Sequence, residues 1–425
     1  MNKPRKPLLI GYDAWIGADA LKHDTALYSE VIEFVEGISW GALAEICNNL
    51  KGTPCTISEK YTVGRSNLVR QIRFIDDQIW VARLRLPRKD GKPASQVEDS
   101  IISCAESLTF LRKRTQVPAP EVYHYDPSSN NPVGAPYILM KYVHGTLAKR
   151  LQKARGCRKY MFGTPKEDAN FRKQLASIQV GLATHKWERI GRPRLHENGG
   201  FSIGSLETDL NFATATQYYD HLTKNALWGG ASEAPADSQD TMILIPALFK
   251  TLIARWSTHS GPYGLVHTGL GAHNVLVNEK FEVLALIDPK GLMTAPIEVQ
   301  AQLPHRVGMR MKPPGCIAGS PKEEETMRVT MQRVKAHRKM LKEADEEYTT
   351  TRNSMIGMPL WRAMLSPAAI LVQGMVEYGH FGEEVDKRWL VTLSNMVRQA
   401  QWLAPSITRS FPIHYAFDDS EDEEG

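Results

Sequence analysis

The chain has 425 residues, room at about 100–200 residues per domain for two or three domains or one large bilobal unit. With 42% hydrophobic and 23% charged residues, it is not a disordered, collagen-like or disulfide-stapled protein, which leaves a globular enzyme or binding protein. The formal charge is +5, yet Asp418, Asp419, Glu421, Asp422, Glu423 and Glu424 sit together near the C-terminus, so the body is more basic than the total suggests. Its Lys and Arg are scattered without an aromatic-interleaved stripe, which argues against nucleic acid and leaves an anionic small molecule such as a nucleotide.

Cys47, Cys55, Cys104, Cys157 and Cys316 form no CxxC pair and no Cys/His spacing suited to structural zinc. Reduced thiols fit best. The apolar run after Lys3, Arg5 and Lys6 stops at Ile10, too short for a signal-peptide core. Ala368 to Val376 contains Gln373 and Gly374 and cannot span a bilayer. A cytoplasmic protein with no membrane partner is expected.

In chain order, Leu27 to Val35 and Trp40 to Leu50 read as a helical prelude. Leu68 to Phe74, the polar turn Asp76-Asp77-Gln78 and Ile79 to Leu84 read as a β-hairpin. Val97, Ile101, Ala105, Leu108 and Leu111 recur at helical spacing until Pro118 and Pro120. Pro136 to Val143 is a buried-strand candidate ending at His144-Gly145. From 146 to 260 the pattern is mostly helical, broken by the Gly/Pro/Asn-rich stretch 191 to 204 and the polar loop Gly229 to Asp240. Short apolar strands follow at Gly264 to Val266 and Val283 to Ile287. A charged helix from about Glu323 to Glu347, an apolar stretch around Trp361 to Met375 and a last helix near Trp389 to Leu403 complete the chain.

The chemistry concentrates in Leu265-Val-His-Thr-Gly-Leu-Gly-Ala-His-Asn274-Val-Leu-Val and Leu286-Ile-Asp288. Phosphoryl transfer from ATP needs a divalent metal on the phosphates, and oxygen ligands at the ends of short buried strands hold such a metal. Taken as isolated residues, Asn274 and Asp288 would more readily cap a turn and a helix. The spacing of His267, Asn274 and Ile287-Asp288 resembles the aminoglycoside phosphotransferase and choline kinase-like family, whose pattern is His-Gly-Asp-x-x-x-x-Asn, a hydrophobic strand, then Ile-Asp. Ala295-Pro296-Ile297-Glu298, Val117-Pro118-Ala119-Pro120 and Pro136-Tyr137-Ile138-Leu139-Met140 agree with it in order, over roughly residues 60 to 310.

The resemblance implies that Asn274 and Asp288 hold Mg²⁺, that the loop with Gly64, Ser66 and Asn67 lies over the phosphates of ATP, and that Arg83 clamps them. It also implies that Met140 and Tyr142, at the hinge between lobes, flank the nucleotide. A plain hairpin turn at Gly64 and a surface residue at Arg83 remain alternatives. Two positions depart from the family: Gly269 stands where it carries the catalytic Asp, and Cys104 where its first-lobe helix carries the Glu that pairs with the strand cation. Glu106 and Glu98 lie off the face defined by Ile101, Cys104 and Leu108. His267 and His273 are of the residue type whose unperturbed pKa lies near neutrality, but the resemblance implies that the first of these positions braces the loop.

The expectation is thus a bilobal, protein-kinase-like α+β fold. Residues 1–59 form a helical extension, 60–145 a sheet-containing lobe, 146–410 a helical lobe and 411–425 a disordered acidic tail. The expected function is a divergent phosphotransferase binding ATP, Mg²⁺ and a small hydroxylated acceptor, with transfer weak or lost at Gly269. The rival is a pseudokinase whose cleft serves a protein partner.

Overall fold

The computed structural model describes residues 10–21, 25–64, 66–87, 93–206, 212–222, 248–253, 256–257, 260–310, 312–352, 358–381, 388–389, 392–393 and 395–396. The acidic tail, the Gly229 to Asp240 loop and most of the expected helix near 389 to 403 lie outside them.

Helix α1 (Ala26–Gly37) starts behind Thr25, whose side chain accepts from the Tyr28 N–H, and α2 (Trp40–Lys51) behind Ser39, which accepts from Ala42. Then come β1 (Cys55–Val63), β2 (Asn67–Phe74), β3 (Ile79–Arg85), α3 (Ala94–Arg114), β4 (Val122–Asp126) and β5 (Tyr137–Lys141). The five strands form one antiparallel sheet in the order β1-β2-β3-β5-β4. The β2–β3 hairpin turns at Asp77, φ 62°, a conformation that Asp tolerates better than most residues.

Strands β1 and β4 are absent from the sequence expectation, and both are edge strands. Edges keep polar residues on the outside, so Ser58-Glu59-Lys60 and His124 break the alternation that marks a strand.

Alternation along β3 decides what faces where. Trp80, Ala82 and Leu84 join Val31, Leu43 and Ile72 in a cluster beneath α1 and α2. Val81 joins Ile101, Cys104 and Leu108 of α3 in the cluster on the opposite face. Arg83, two residues after Val81, therefore shares the α3 face.

The second lobe comprises β6 (Thr146–Leu147), α4 (Ala148–Ala154), α5 (Pro165–Ala183), β7 (Lys186–Trp187), β8 (Arg192–Leu195), β9 (Phe201–Gly204), β10 (Tyr263–His267), β11 (Val275–Val277), β12 (Val283–Leu286), β13 (Leu292–Ala295), α6 (Ile297–Gln300), α7 (Pro321–Arg352), α8 (Leu360–Ala363) and α9 (Pro367–Phe381). Helix α5 opens with a reciprocal Thr164–Glu167 capping box and Pro165 in its first turn. It packs on α7, where His337 Nε2 donates to Gln179 Oε1 at 2.8 Å. Small sheets β13-β10-β7 and β12-β11-β6 flank the loop between β10 and β11.

The stretch 191 to 204 breaks the helical pattern as the hairpin β8–β9, with Arg194 opposite Ser202. A Cβ on Gly204 would stand 2.5 Å from the Arg194 Cγ, and one on Gly191 only 1.9 Å from the Gly204 carbonyl oxygen. The glycines that read as loop signals serve close approach in a strand pair. Among the described residues, no helix is long and apolar enough to cross a membrane.

Candidate functional site

A cavity of about 910 Å³ opens between the lobes, within the size range of small-molecule sites. Its lining includes Gly64, Ser66 and Asn67 of the β1–β2 turn, Arg83 of β3 and Cys104 of α3. Met140 and Tyr142 border it at the hinge, and Asn274 and Asp288 contribute from the second lobe.

The loop after β10 is braced by His267, which is 3% exposed. Its Nδ1 accepts from the Gly269 N–H at 3.1 Å, so Nε2 carries the proton and donates to the Asp288 carbonyl at 2.6 Å. Burial lowers the His267 pKa, and a neutral ring is what both bonds require. Asn274 Nδ2 donates to the Gly269 carbonyl at 2.9 Å, while the Ile287 N–H donates to the Asn274 carbonyl at 3.0 Å. One backbone network thus fixes the positions of Gly269, Asn274 and Asp288 relative to one another. His267 and Gly269 support the loop without lining the cavity.

Arg83 crosses from one lobe to the other. Nη1 donates to the Cys104 Sγ at 3.5 Å and the Ile287 carbonyl at 3.3 Å, and Nη2 to Asp288 Oδ1 at 3.4 Å. With its amide oxygen toward Arg83, Asn67 accepts from Nη2 at 3.0 Å and Nε at 3.2 Å. Burial opposes the guanidinium charge, but Cys104 and Asp288 outweigh it and the pKa is raised. The Cys104 thiol, 8% exposed, has its pKa raised by burial, with Arg83 pulling the other way. The turn beneath is tight, Gly64 N–H donating to the Asn67 carbonyl at 2.9 Å. Gly64 has no left-handed φ, and a Cβ there would meet only ordinary contact at 3.7 Å.

Of the α3 carboxylates, Asp99 lines the cavity and Glu106 does not. Glu106 accepts from Arg194 Nη1 at 3.3 Å, and Asp99 lies against Arg194 Nη2, with Arg192 3.7 Å from it. Burial raises the Glu106 pKa, which Arg194 partly offsets.

Two oxygen donors suit the implied Mg²⁺. Asn274 has its amide nitrogen committed to Gly269 and no hydrogen bond to Oδ1 among the described residues; the Asp288 side chain is 38% exposed. Among those residues no group of three or more His, Cys, Asp or Glu gathers to hold a metal.

The structure brings Gly64, Ser66, Asn67, Arg83, Met140, Tyr142, Asn274 and Asp288 around one cavity. It adds others that no motif marks. Gly11, Ala14 and Trp15 line the same space: the Gly11 N–H donates to Thr146 Oγ1 at 3.0 Å, and Trp15 meets Tyr142 edge-on at 6.0 Å. Arg306, from the turn after α6, lines it too. Contacts across 135 residues leave no local pattern to find.

Residues 61–299 match the profile of the phosphotransferase enzyme family. A 91-residue stretch is 41% identical to a subtelomeric hrmA-associated cluster protein of Aspergillus fumigatus, in two strains, and covers 21% of this chain and 17% of the relative. A candidate aminoglycoside phosphotransferase of Ralstonia eutropha superposes with a TM-score of 0.49 at 14% identity, covering 86% of this chain and 96% of the other. Macrolide 2′-phosphotransferase MphH of Brachybacterium faecium superposes with a TM-score of 0.42 at 12% identity, covering 87% and 99%.

Proposed function

The chain belongs to the phosphotransferase enzyme family, and from that premise we propose that its cleft binds ATP or a related nucleotide with Mg²⁺ and a small hydroxylated acceptor, with phosphoryl transfer weak or lost. The observation that carries this reading is the meeting of Arg83 with Asp288 across the lobes, beside Asn274 and a loop with no carboxylate at Gly269.

In this reading the Gly64, Ser66 and Asn67 turn covers the phosphates, Arg83 clamps their oxygens, and Met140 and Tyr142 flank the base. Asn274 and Asp288 hold Mg²⁺, which when bound neutralises phosphate charge. His267 is a positioning residue, since both ring nitrogens are engaged by backbone. In transfer, the acceptor oxygen would bond to the γ-phosphorus as the bond from the bridging oxygen to that phosphorus breaks, ADP leaving with the electron pair and the hydroxyl proton passing to water. Gly269 offers nothing to take that proton, and a general base contributes typically ~10²–10⁴ in rate.

Gly269→Asp tests this directly. Gly269 has no left-handed φ, and its Cβ would meet only side-chain atoms, Asn274 Nδ2 at 3.3 Å and His267 Cε1 at 3.4 Å. A carboxylate there is expected to raise nucleotide turnover by up to ~10²–10⁴. Turnover in the native chain that the substitution fails to improve would show that another residue does the work. A thermal-shift titration with ATP and Mg²⁺ tests binding itself, because a ligand of the native state raises apparent stability. The second reading, a pseudokinase, is favoured by Arg83 meeting a thiol, Cys104, rather than a carboxylate on α3. It stands if no nucleotide shifts the melting temperature and no folded variant turns over.

A further inference from the structure

Residues 10–21 carry no motif, yet they join the two lobes beside the hinge. Two short 3-10 turns, Gly11–Ala14 and Gly17–Ala20, make up most of the segment. On the first lobe, the Tyr12 hydroxyl bonds to Ser58 Oγ, and the Arg73 guanidinium lies 5.1 Å from the centre of the Tyr12 ring. The Ala18 N–H donates to the Tyr61 hydroxyl at 3.2 Å. Gly17 makes that approach possible: its φ is 63°, and a Cβ there would stand 2.8 Å from Tyr61 Cζ. On the second lobe, the Gly11 N–H donates to Thr146 Oγ1 at 3.0 Å, and Arg150 Nη2 donates to the Ala14 carbonyl at 3.4 Å. Ile10 and Trp15 pack on the apolar cluster that runs from α3 through the second lobe, while Ala18 belongs to the cluster beneath α1 and α2.

Between these anchorages the segment brings Trp15 to the cleft. Gly11, Ala14 and Trp15, the residues through which it lines the cavity, carry no charge, so their side chains add nothing to the binding of phosphate. What they add is aromatic surface. The Trp15 ring lies 5.4 Å from that of Tyr12 and 6.0 Å, edge-on, from that of Tyr142, which in turn meets His144 edge-on at 4.6 Å. Four rings thus run in series from the segment into the hinge, and the inner two, Trp15 and Tyr142, both line the cavity.

We propose that Trp15 is a binding residue that walls the base of a bound nucleotide beside Tyr142, and so selects a base-bearing ligand over a bare polyphosphate. This deepens the proposed function and rests on its placing of the base at Met140 and Tyr142. The half-buried indole leaves ring surface at the cleft, and contact with the π-face of a base is a stabilisation that inorganic polyphosphate cannot gain. The bonds to both lobes hold the ring in place before the ligand arrives, so little side-chain freedom is lost on binding.

The test is a thermal-shift titration of the full chain with Mg²⁺ and either ADP or inorganic tripolyphosphate, each variant read against its own ligand-free melting temperature. Trp15→Ala should weaken ADP binding about tenfold, the value of one base–aromatic contact, and leave tripolyphosphate unchanged. Trp15→Phe, which keeps a ring, should lie between Ala and the native chain. Ile317→Ser, at a side chain 85% exposed and outside the cavity lining, should change neither ligand. ADP binding undiminished in Trp15→Ala, an equal loss of tripolyphosphate, Phe no better than Ala, or an equal loss in Ile317→Ser would each overturn the wall. Where tripolyphosphate gives no shift even with native protein, the order native, Phe, Ala toward ADP decides alone. No ADP shift in the native chain defeats the nucleotide reading and the wall with it, whereas ADP binding that Trp15→Ala leaves intact defeats the wall alone.

Discussion

Two arginines flank α3 and meet opposite fates. Arg194, on β8, holds Asp99 and Glu106 from one side of the helix, in a cluster whose side chains are 24%, 23% and 9% exposed. Arg83, on β3, meets Cys104 on the other side and takes its carboxylate from the second lobe, where Asp288 is 38% exposed. Glu106, which stands off the cleft, and Asp99, which lines it, thus bind the helix to the β8–β9 hairpin. The partner of Arg83 is open to the cleft, where a ligand can compete for it. The Arg194–Glu106 pair, away from the cavity, holds a helix in place; the Arg83–Asp288 pair, both of whose residues line the cavity, is available for binding.

The comparison breaks most visibly in stability. Arg194→Ala leaves Glu106 buried with no cation, and removing one partner of a buried pair typically costs about 3–5 kcal/mol. With a quarter of Arg194 in water, we expect about 2–3 kcal/mol by urea denaturation. Arg83→Ala should lose less, about 1 kcal/mol, since Asp288 can rehydrate. Equal losses would show that the two pairs do the same work.

Cys104→Glu sharpens it by giving Arg83 a helix carboxylate. Cys104 lines the cavity, so the longer side chain has room. Arg83 should shift toward it and release Asp288, tightening Mg²⁺-dependent nucleotide binding by about tenfold, the value of one charge-assisted bond. An unchanged affinity would mean that Arg83 does not restrain Asp288.

Glu106 also predicts a pH signature. Burial lifts its folded pKa above the ordinary 4.5, so in that window the native state binds more protons than the unfolded one. Stability therefore falls as pH rises from about 4.5 through the raised value. Glu106→Gln should flatten that slope while keeping a bond from Arg194, as pH-dependent denaturation curves would record. A slope unchanged in Glu106→Gln would assign it to another group.

Most of the residues at the base of the cleft were legible because their chemistry fixes their order along the chain. His267, Asn274 and Asp288 sit at the ends of short apolar strands, and Arg83 follows from the alternation of a buried strand. The orientation of α3 was half legible: helical spacing separates Glu106 from Cys104, but nothing local says that Arg194 receives Glu106. That contact joins residues 88 apart through a hairpin whose glycines imitate a loop. Trp15 and Arg306 reach the cleft beside residues with distant partners, Gly11 bonded to Thr146 Oγ1 and His305 bridged to Gly271, and no spacing rule encodes a partner that only folding supplies.

The smallest effect, and the most local probe of the two faces, is the chemistry of Cys104. The thiolate is the reactive form, and burial raises the Cys104 pKa while Arg83 works to lower it. Because burial is the larger influence, the thiol stays protonated at neutral pH and labels slowly, well behind the half-buried Cys157 and Cys316. Raising the pH should speed its labelling as the thiolate fraction grows. Nucleotide should slow it further, since a phosphate drawn to Arg83 both covers the sulfur and withdraws the cation that favours its thiolate. Arg83→Met separates these contributions: labelling should slow at every pH without nucleotide, and the nucleotide effect should disappear. The measurement is mass-resolved alkylation at several pH values. Cys104 labelling as fast as Cys316 in the native chain would mean that its side of α3 opens to solvent, and the contrast between the two arginines would no longer describe the molecule.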